Sequence, residues 1–279
     1  MDFSGEIHLP ANTIEKDYVL GWLLAGIANH PKLFDQWIFK GGTCLKKCYF
    51  ETFRFSEDLD YTLKNANQID EVFLTDCFKS IGKWIYETAG IEILENTIRF
   101  DIYKNNDGKT SVEGCLNYIG PLQRRNNAYR IKLDLTADEL LATSPVLRDV
   151  YHPYSDKPSR GMQAYCYSFP EIFAEKMRAL SERARPRDLY DVVHLYKHAT
   201  STENPSEILE ALKMKCEYKA IPVPTMESLE KHPKRHELRS EWESMLAHQI
   251  STLPPMEQFW QELPRVFEWL CGAPIKTAS

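Results

Sequence analysis

Apolar residues recur at helical spacing from residue 12 to about 29. Ile14, Tyr18, Trp22 and the apolar residues from Leu23 to Ile27 predict an amphipathic helix that packs on a sheet, with Asn12 and Glu15 as its N-terminal capping pair. Trp37-Ile38-Phe39 then reads as a short buried strand, Gly41-Gly42-Thr43 as a turn and LKKCYF as a mostly helical stretch. Helical spacing returns over 69–89 through Ile69, Val72, Phe73, Phe78, Ile81, Trp84 and Ile85. Strands are predicted near 91–103, 111–119 and 127–136, with Asn106-Asp107-Gly108 as a turn signal between the first two. The last strand alternates cleanly: Ile131, Leu133 and Leu135 face the core, while Lys132, Asp134 and Thr136 face away.

Residues 143–168 carry Pro145, Pro153, Pro158 and Gly161 with little periodicity, which predicts a loop-rich crossing. Helical patterning follows. Ser168-Phe169-Pro170-Glu171 has the form of a capping box opening a helix to about Arg183. Pro186 starts a helix to about His198, Asn204-Pro205 starts another, and Thr225 to Leu270 holds at least two more, interrupted at Pro254-Pro255 and Pro264. The order predicts an α/β domain with a mixed sheet over 1–165 and a helical domain over 166–279.

Composition narrows the class. With 279 residues and 43 % hydrophobic content the chain can bury a sizeable core, which excludes a disordered or fibrous protein. No apolar run reaches membrane-span length, and the first residues, MDFSGEIHLP, are acidic where a signal peptide is basic; the expectation is a cytoplasmic protein with no membrane partner. Seven scattered cysteines argue against a disulfide framework, and Cys44 and Cys48, at i, i+4, read as buried thiols. The net charge of −6 conceals three basic groups: Arg124 to Lys132, Lys176 to Arg187, and Lys231 to Arg239. Each fits either a solvated face or contacts to nucleic-acid phosphates.

The chemistry concentrates in Lys40–Tyr61, KGGTCLKKCYFETFRFSEDLDY. On a strand, Asp58 and Asp60 point to one face while Leu59 enters the core. Two adjacent carboxylates repel unless a cation lies between them, and Mg²⁺ takes one or two carboxylates plus substrate phosphates. The preceding strand, glycine turn and helix start form an anion site, with Gly41 and Gly42 admitting a phosphate and the Thr43 hydroxyl either capping the helix or bonding the phosphate. Asp134 is a candidate third metal ligand and base; the plainer alternative is a surface acid paired with Lys132 or Arg130. In the helical half, Lys176 suits triphosphate oxygens, with Asp188 or Asp191 to orient it; a structural ion-pair knot is the alternative.

These residues carry a family resemblance. IEKDYVLGWLL, KGGTCLKK, RFSEDLDY, IKLDLT, AEKMRAL and RPRDLYDVVHL, in this order over roughly the first 200 residues, resemble the AbiEii/AbiGii toxin family of nucleotidyltransferases, which includes the mycobacterial MenT toxins of type IV toxin–antitoxin systems. The resemblance implies a polymerase-β-like fold and transfer of a nucleoside monophosphate from an NTP, with Mg²⁺ or Mn²⁺, to an acceptor hydroxyl such as an RNA or tRNA 3′ end. It also implies a cognate antitoxin. Asp58 and Asp60 then become metal ligands, with Asp134 the third; Lys40, Gly41, Gly42, Thr43 and Ser56 join Lys176 in the nucleotide-binding set, and the spacing from Lys176 favours Asp191 over Asp188 as the essential aspartate. Transfer to a protein side chain and a non-catalytic NTP-binding module are the rival readings.

Overall fold

The computed structural model describes residues 9–104, 108–158, 161–199 and 202–272; Asn106 and Asp107 of the expected turn lie outside them. The chain divides into two compact units. One comprises residues up to Glu139 together with Pro145–Tyr167, the other Leu140–Ser144 together with residues from Ser168 onward.

Helix α1 (Ala11–Asn29) opens the first unit without a side-chain cap. Glu15 does not cap; it is buried and accepts the Leu122 backbone N–H at 2.5 Å, so a distant segment takes the carboxylate that the local pattern assigned to the helix end. Nor is α1 two-faced, since Thr13, Glu15 and Asp17 are buried along with its apolar residues. A mixed sheet follows, formed by β1 (Trp37–Lys40), β2 (Asp58–Leu63), β3 (Glu92–Ile93), β4 (Arg99–Lys104), β5 (Thr110–Ile119), β6 (Tyr129–Thr136), β7 (Val146–Asp149) and β8 (Gln163–Cys166). Its order is β3-β5-β6-β2-β1-β8-β7, with β4 also on β5. Strand β2 runs antiparallel to β1 and parallel to β6, and β8 runs parallel to β1. The predicted strand over 91–103 is two strands, split by a 3₁₀ turn at Glu95–Thr97. Strands β7 and β8 stand where the pattern predicted loop: four residues each are too few to show alternation among prolines.

Between β1 and β2 the helical stretch is a single α-turn, α2 (Gly41–Cys44), continued by a π-turn at Leu45–Tyr49. Helix α3 (Glu71–Ala89) is capped by Asp70, whose side chain accepts the Phe73 N–H, and ends at left-handed Gly90. It lies on the apolar face of the sheet. There Phe78 packs between Trp37 and Phe100, with ring centroids 6.1 and 5.2 Å away.

The second unit is helical: α4 (Phe169–Arg183), α5 (Pro186–Ala199), α6 (Pro205–Tyr218), three short helices α7 (Met226–Glu230), α8 (Arg235–Ser240) and α9 (Trp242–Leu246), and α10 (Met256–Leu270). Ser168 caps α4, but Glu171 does not complete the box; it bonds the Thr143 N–H and pairs with Lys215 at 2.7 Å. Pro264 lies inside α10 rather than ending it, because Phe259, Leu263, Val266, Trp269 and Leu270 form one buried face across it. Trp269 stacks on Phe173 at 5.9 Å, tying α10 to α4.

Candidate active site

Register gathers the acids. The parallel β2–β6 pair sets Asp60 opposite Asp134 and Asp58 opposite Lys132. Lys40 faces Asp60 from β1, Glu113 faces Asp134 from β5, and Asp101 faces Glu113 from β4. Side chains directly opposite in a ladder share a sheet face, so Lys40, Asp60, Asp134, Glu113 and Asp101 form a polar row across five strands. Asp58 stands one pleat away. The intervening Leu59, Tyr61, Leu133 and Leu135 are buried on the other face, so core packing fixes the phase of the acids. The Asp134 carboxyl is raised to about 6, first by desolvation in the concave surface it lines, then by Asp60, Asp58 and Glu113. Because water still reaches Asp134, these like charges are partly screened. A divalent cation is what would relieve their repulsion, and hard oxygen donors of this kind fit Mg²⁺ or Mn²⁺.

The glycine turn abuts these acids. Gly41 has φ +78°, and a Cβ there would lie 2.0 Å from Asp60 Oδ2, so both backbone conformation and space demand glycine. A Cβ on Gly42 would lie 2.7 Å from the Arg54 guanidinium and 3.0 Å from Ser56 Oγ. The turn therefore sits among Asp60, Ser56 and Arg54. Thr43 is not the cap: its hydroxyl donates to the Asp58 carbonyl at 2.5 Å, tying turn to strand. Lys40 Nζ is 3.4 Å from Glu139. Arg54 is buried beside the turn, and its being the only basic residue in RFSEDLDY is the one signal of it in the sequence. Glu113 carries no local signal either: only the β5–β6 register brings it to the acids.

On the other side of Asp58 and Asp134 a groove of about 630 Å³ extends over the polar sheet face. Arg99, Asn117, Arg130 and Lys132 line it.

In the helical unit, Lys176 Nζ is 2.8 Å from Asp191 and 3.8 Å from Asp188. Asp188 instead takes the Arg183 guanidinium through two hydrogen bonds of 2.6 and 2.8 Å. Arg178 pairs with Glu175 and Glu182. Much of the second basic group is thus committed to internal ion pairs, and Asp191 rather than Asp188 is the close partner of Lys176.

Residues 22–270 match the nucleotidyltransferase AbiEii toxin family of type IV toxin–antitoxin systems. The chain belongs to the AbiEii family. It is accordingly a nucleotidyltransferase of a toxin–antitoxin family, which makes an NTP its expected substrate and an antitoxin its expected counterpart. The AbiEii fold extends to solved structures. MenT4, a nucleotidyltransferase toxin from Mycobacterium tuberculosis H37Rv, superposes with a TM-score of 0.61 at 17 % identity, covering 95 % of this chain and 87 % of that one. JHP933 from Helicobacter pylori gives 0.59 at 17 % identity, covering 94 % and 93 %. At such identity the likeness is one of fold. No curated protein matches the chain. Among the described residues no helix is long and apolar enough to cross a membrane.

Proposed function

We propose that this AbiEii protein transfers a nucleoside monophosphate from an NTP to the 3′ hydroxyl of an RNA, tRNA foremost, with Asp58, Asp60 and Asp134 holding Mg²⁺ or Mn²⁺. The observation that carries the reading is the pairing of Asp60 with Asp134 in one register, directly against Gly41, whose left-handed backbone and closeness to Asp60 disfavour a side chain. When bound, the metal would supply charge neutralisation at the phosphates. Lys40, the Gly41–Thr43 turn, Ser56 and Arg54 form the phosphate-binding side. The acceptor oxygen attacks the α-phosphorus, the bond to the bridging oxygen breaks, pyrophosphate leaves, and Asp134 takes the hydroxyl proton. Lys176, paired with Asp191 at 2.8 Å, is the nucleotide-contacting lysine in this reading. The groove begins at the proposed base, and along it Arg130 and Lys132 are the cations suited to the phosphates of an acceptor strand, Arg99 being paired with Asp101.

The test is incubation with labelled NTPs, Mg²⁺ and total RNA. RNase-sensitive label should appear and fall at least about 100-fold in Asp58→Ala and Asp60→Ala. No incorporation, or label undiminished by either substitution, overturns the reading. Label that resists RNase and follows the protein fraction transfers the acceptor role to a protein side chain. Growth arrest on expression, relieved by the antitoxin, tests the physiological half.

A further inference from the structure

Three sulfurs converge beside the glycine turn without entering the proposed chemistry. Cys44 closes α2, Cys48 follows in the π-turn, and Cys166 ends β8; their Sγ atoms all lie within 4.8 Å of one another. All three are buried free thiols. Local sequence offers only the pair at i, i+4, and the parallel β1–β8 pairing, with Cys166 opposite Phe39, delivers the third.

The arrangement differs from ordinary buried cysteines in three respects. A metal–sulfur distance of about 2.3 Å in tetrahedral geometry separates sulfurs by about 3.8 Å, so the trio closes on an ion with shifts of an ångström or less. Cys48 lines a groove of about 960 Å³ together with Tyr49 and Arg148, which gives a route of entry. Arg148 donates to the Cys48 carbonyl at 2.7 Å and lies over the Tyr49 ring, so a guanidinium stands beside the negative charge that three thiolates and a divalent ion would leave. The three thiols share their protons: burial and the neighbouring sulfurs push Cys44 and Cys48 up, while hydrogen bonds from both draw Cys166 down.

We infer that Cys44, Cys48 and Cys166 form a binding site for a soft, thiophilic metal ion of the Zn²⁺ class. Binding replaces the remaining S–H protons, which leave to solvent, and no electron is transferred. The ion would staple the α2 turn to strand β8. This site is independent of the nucleotidyl-transfer reading.

The test uses Co²⁺ as the probe on the full-length protein, with absorbance as readout. About one equivalent should bind with thiolate-to-cobalt charge-transfer absorption, and Zn²⁺ should displace it. Cys48→Ser and Cys166→Ser should abolish the band, while Cys115→Ser, outside the trio, should keep it. In the wild type, a hundredfold excess of Zn²⁺ over its dissociation constant should raise the thermal midpoint by roughly 5 °C or more. Folded wild-type protein with no charge-transfer band, a band that survives Cys48→Ser in a folded variant, or a disulfide within the trio of purified protein each overturns the inference.

Discussion

At Gly41 two demands meet, a left-handed backbone and an absent side chain, and the second comes from Asp60. Gly41→Ala should therefore cost about 1–2 kcal/mol in stability from backbone handedness alone, yet about 100-fold or more in nucleotide transfer, because displacing Asp60 by an ångström misplaces a proposed metal ligand. Thermal melts alongside turnover separate the two. Asp134 carries a pH signature. Its folded-state pKa is raised from 3.8 to about 6, so between these values the native protein holds a proton that the unfolded chain releases. Stability of the metal-free protein should fall as pH rises through that window, and Asp134→Asn should melt higher than wild type above pH 6, the two converging below pH 4. Added Mg²⁺ should narrow the difference. Asp58, Asp60 and Asp134 were legible because strict alternation sets their face locally, whereas Arg54 and Glu113 acquire their place from neighbours that sequence spacing does not reveal.

Among the elements, α1 and the π-turn that follows α2 are joined by Asp17 and Lys47, paired at 2.6 Å with 4 % and 0 % side-chain exposure. Tyr154 donates to the same carboxylate oxygen at 3.1 Å. Removing one charge leaves the other buried, so Lys47→Met should cost about 3–5 kcal/mol, while Lys47→Met with Asp17→Leu should recover much of it; urea melts of the single and double variants decide. Neither residue stood out in the sequence, since their separation of 30 residues carries no periodic signal. The long elements were readable: α3, β5, β6 and α4 to α6 fall close to their predicted spans because caps, prolines and alternation mark them locally. The errors fell on short pieces and on caps, where Glu15 and Glu171 answer to residues far along the chain.

Across the whole molecule the net charge of −6 and the three basic groups are reconciled by pairing. Lys176, Arg178 and Arg183 face internal acids, and in the third group Lys231 and Arg239 pair with Glu227 and Glu257. The basic residues lining the sheet groove are few: Arg99, Arg130 and Lys132. Arg99 is itself paired with Asp101 at 2.7 Å, so affinity for the proposed RNA acceptor should depend only shallowly on salt, with a log–log slope near −1.4 from about two phosphate contacts, and Arg130→Ala should reduce its magnitude by about 0.7. Fluorescence anisotropy across a salt series measures both.

The parallel pairing of β2 with β6 also dictates when the proposed metal site can form. Asp60 meets Asp134 only after the intervening strands β3, β4 and β5 have been synthesised and β6 has emerged to lie beside β2. Non-local closure of this kind is slow compared with local helix formation. A nascent or truncated chain ending before Tyr129 would carry the glycine turn and the first two acids but no third. The proposed metal site would thus be completed in a growing chain only once synthesis has passed β6, well after its first two acids have been made.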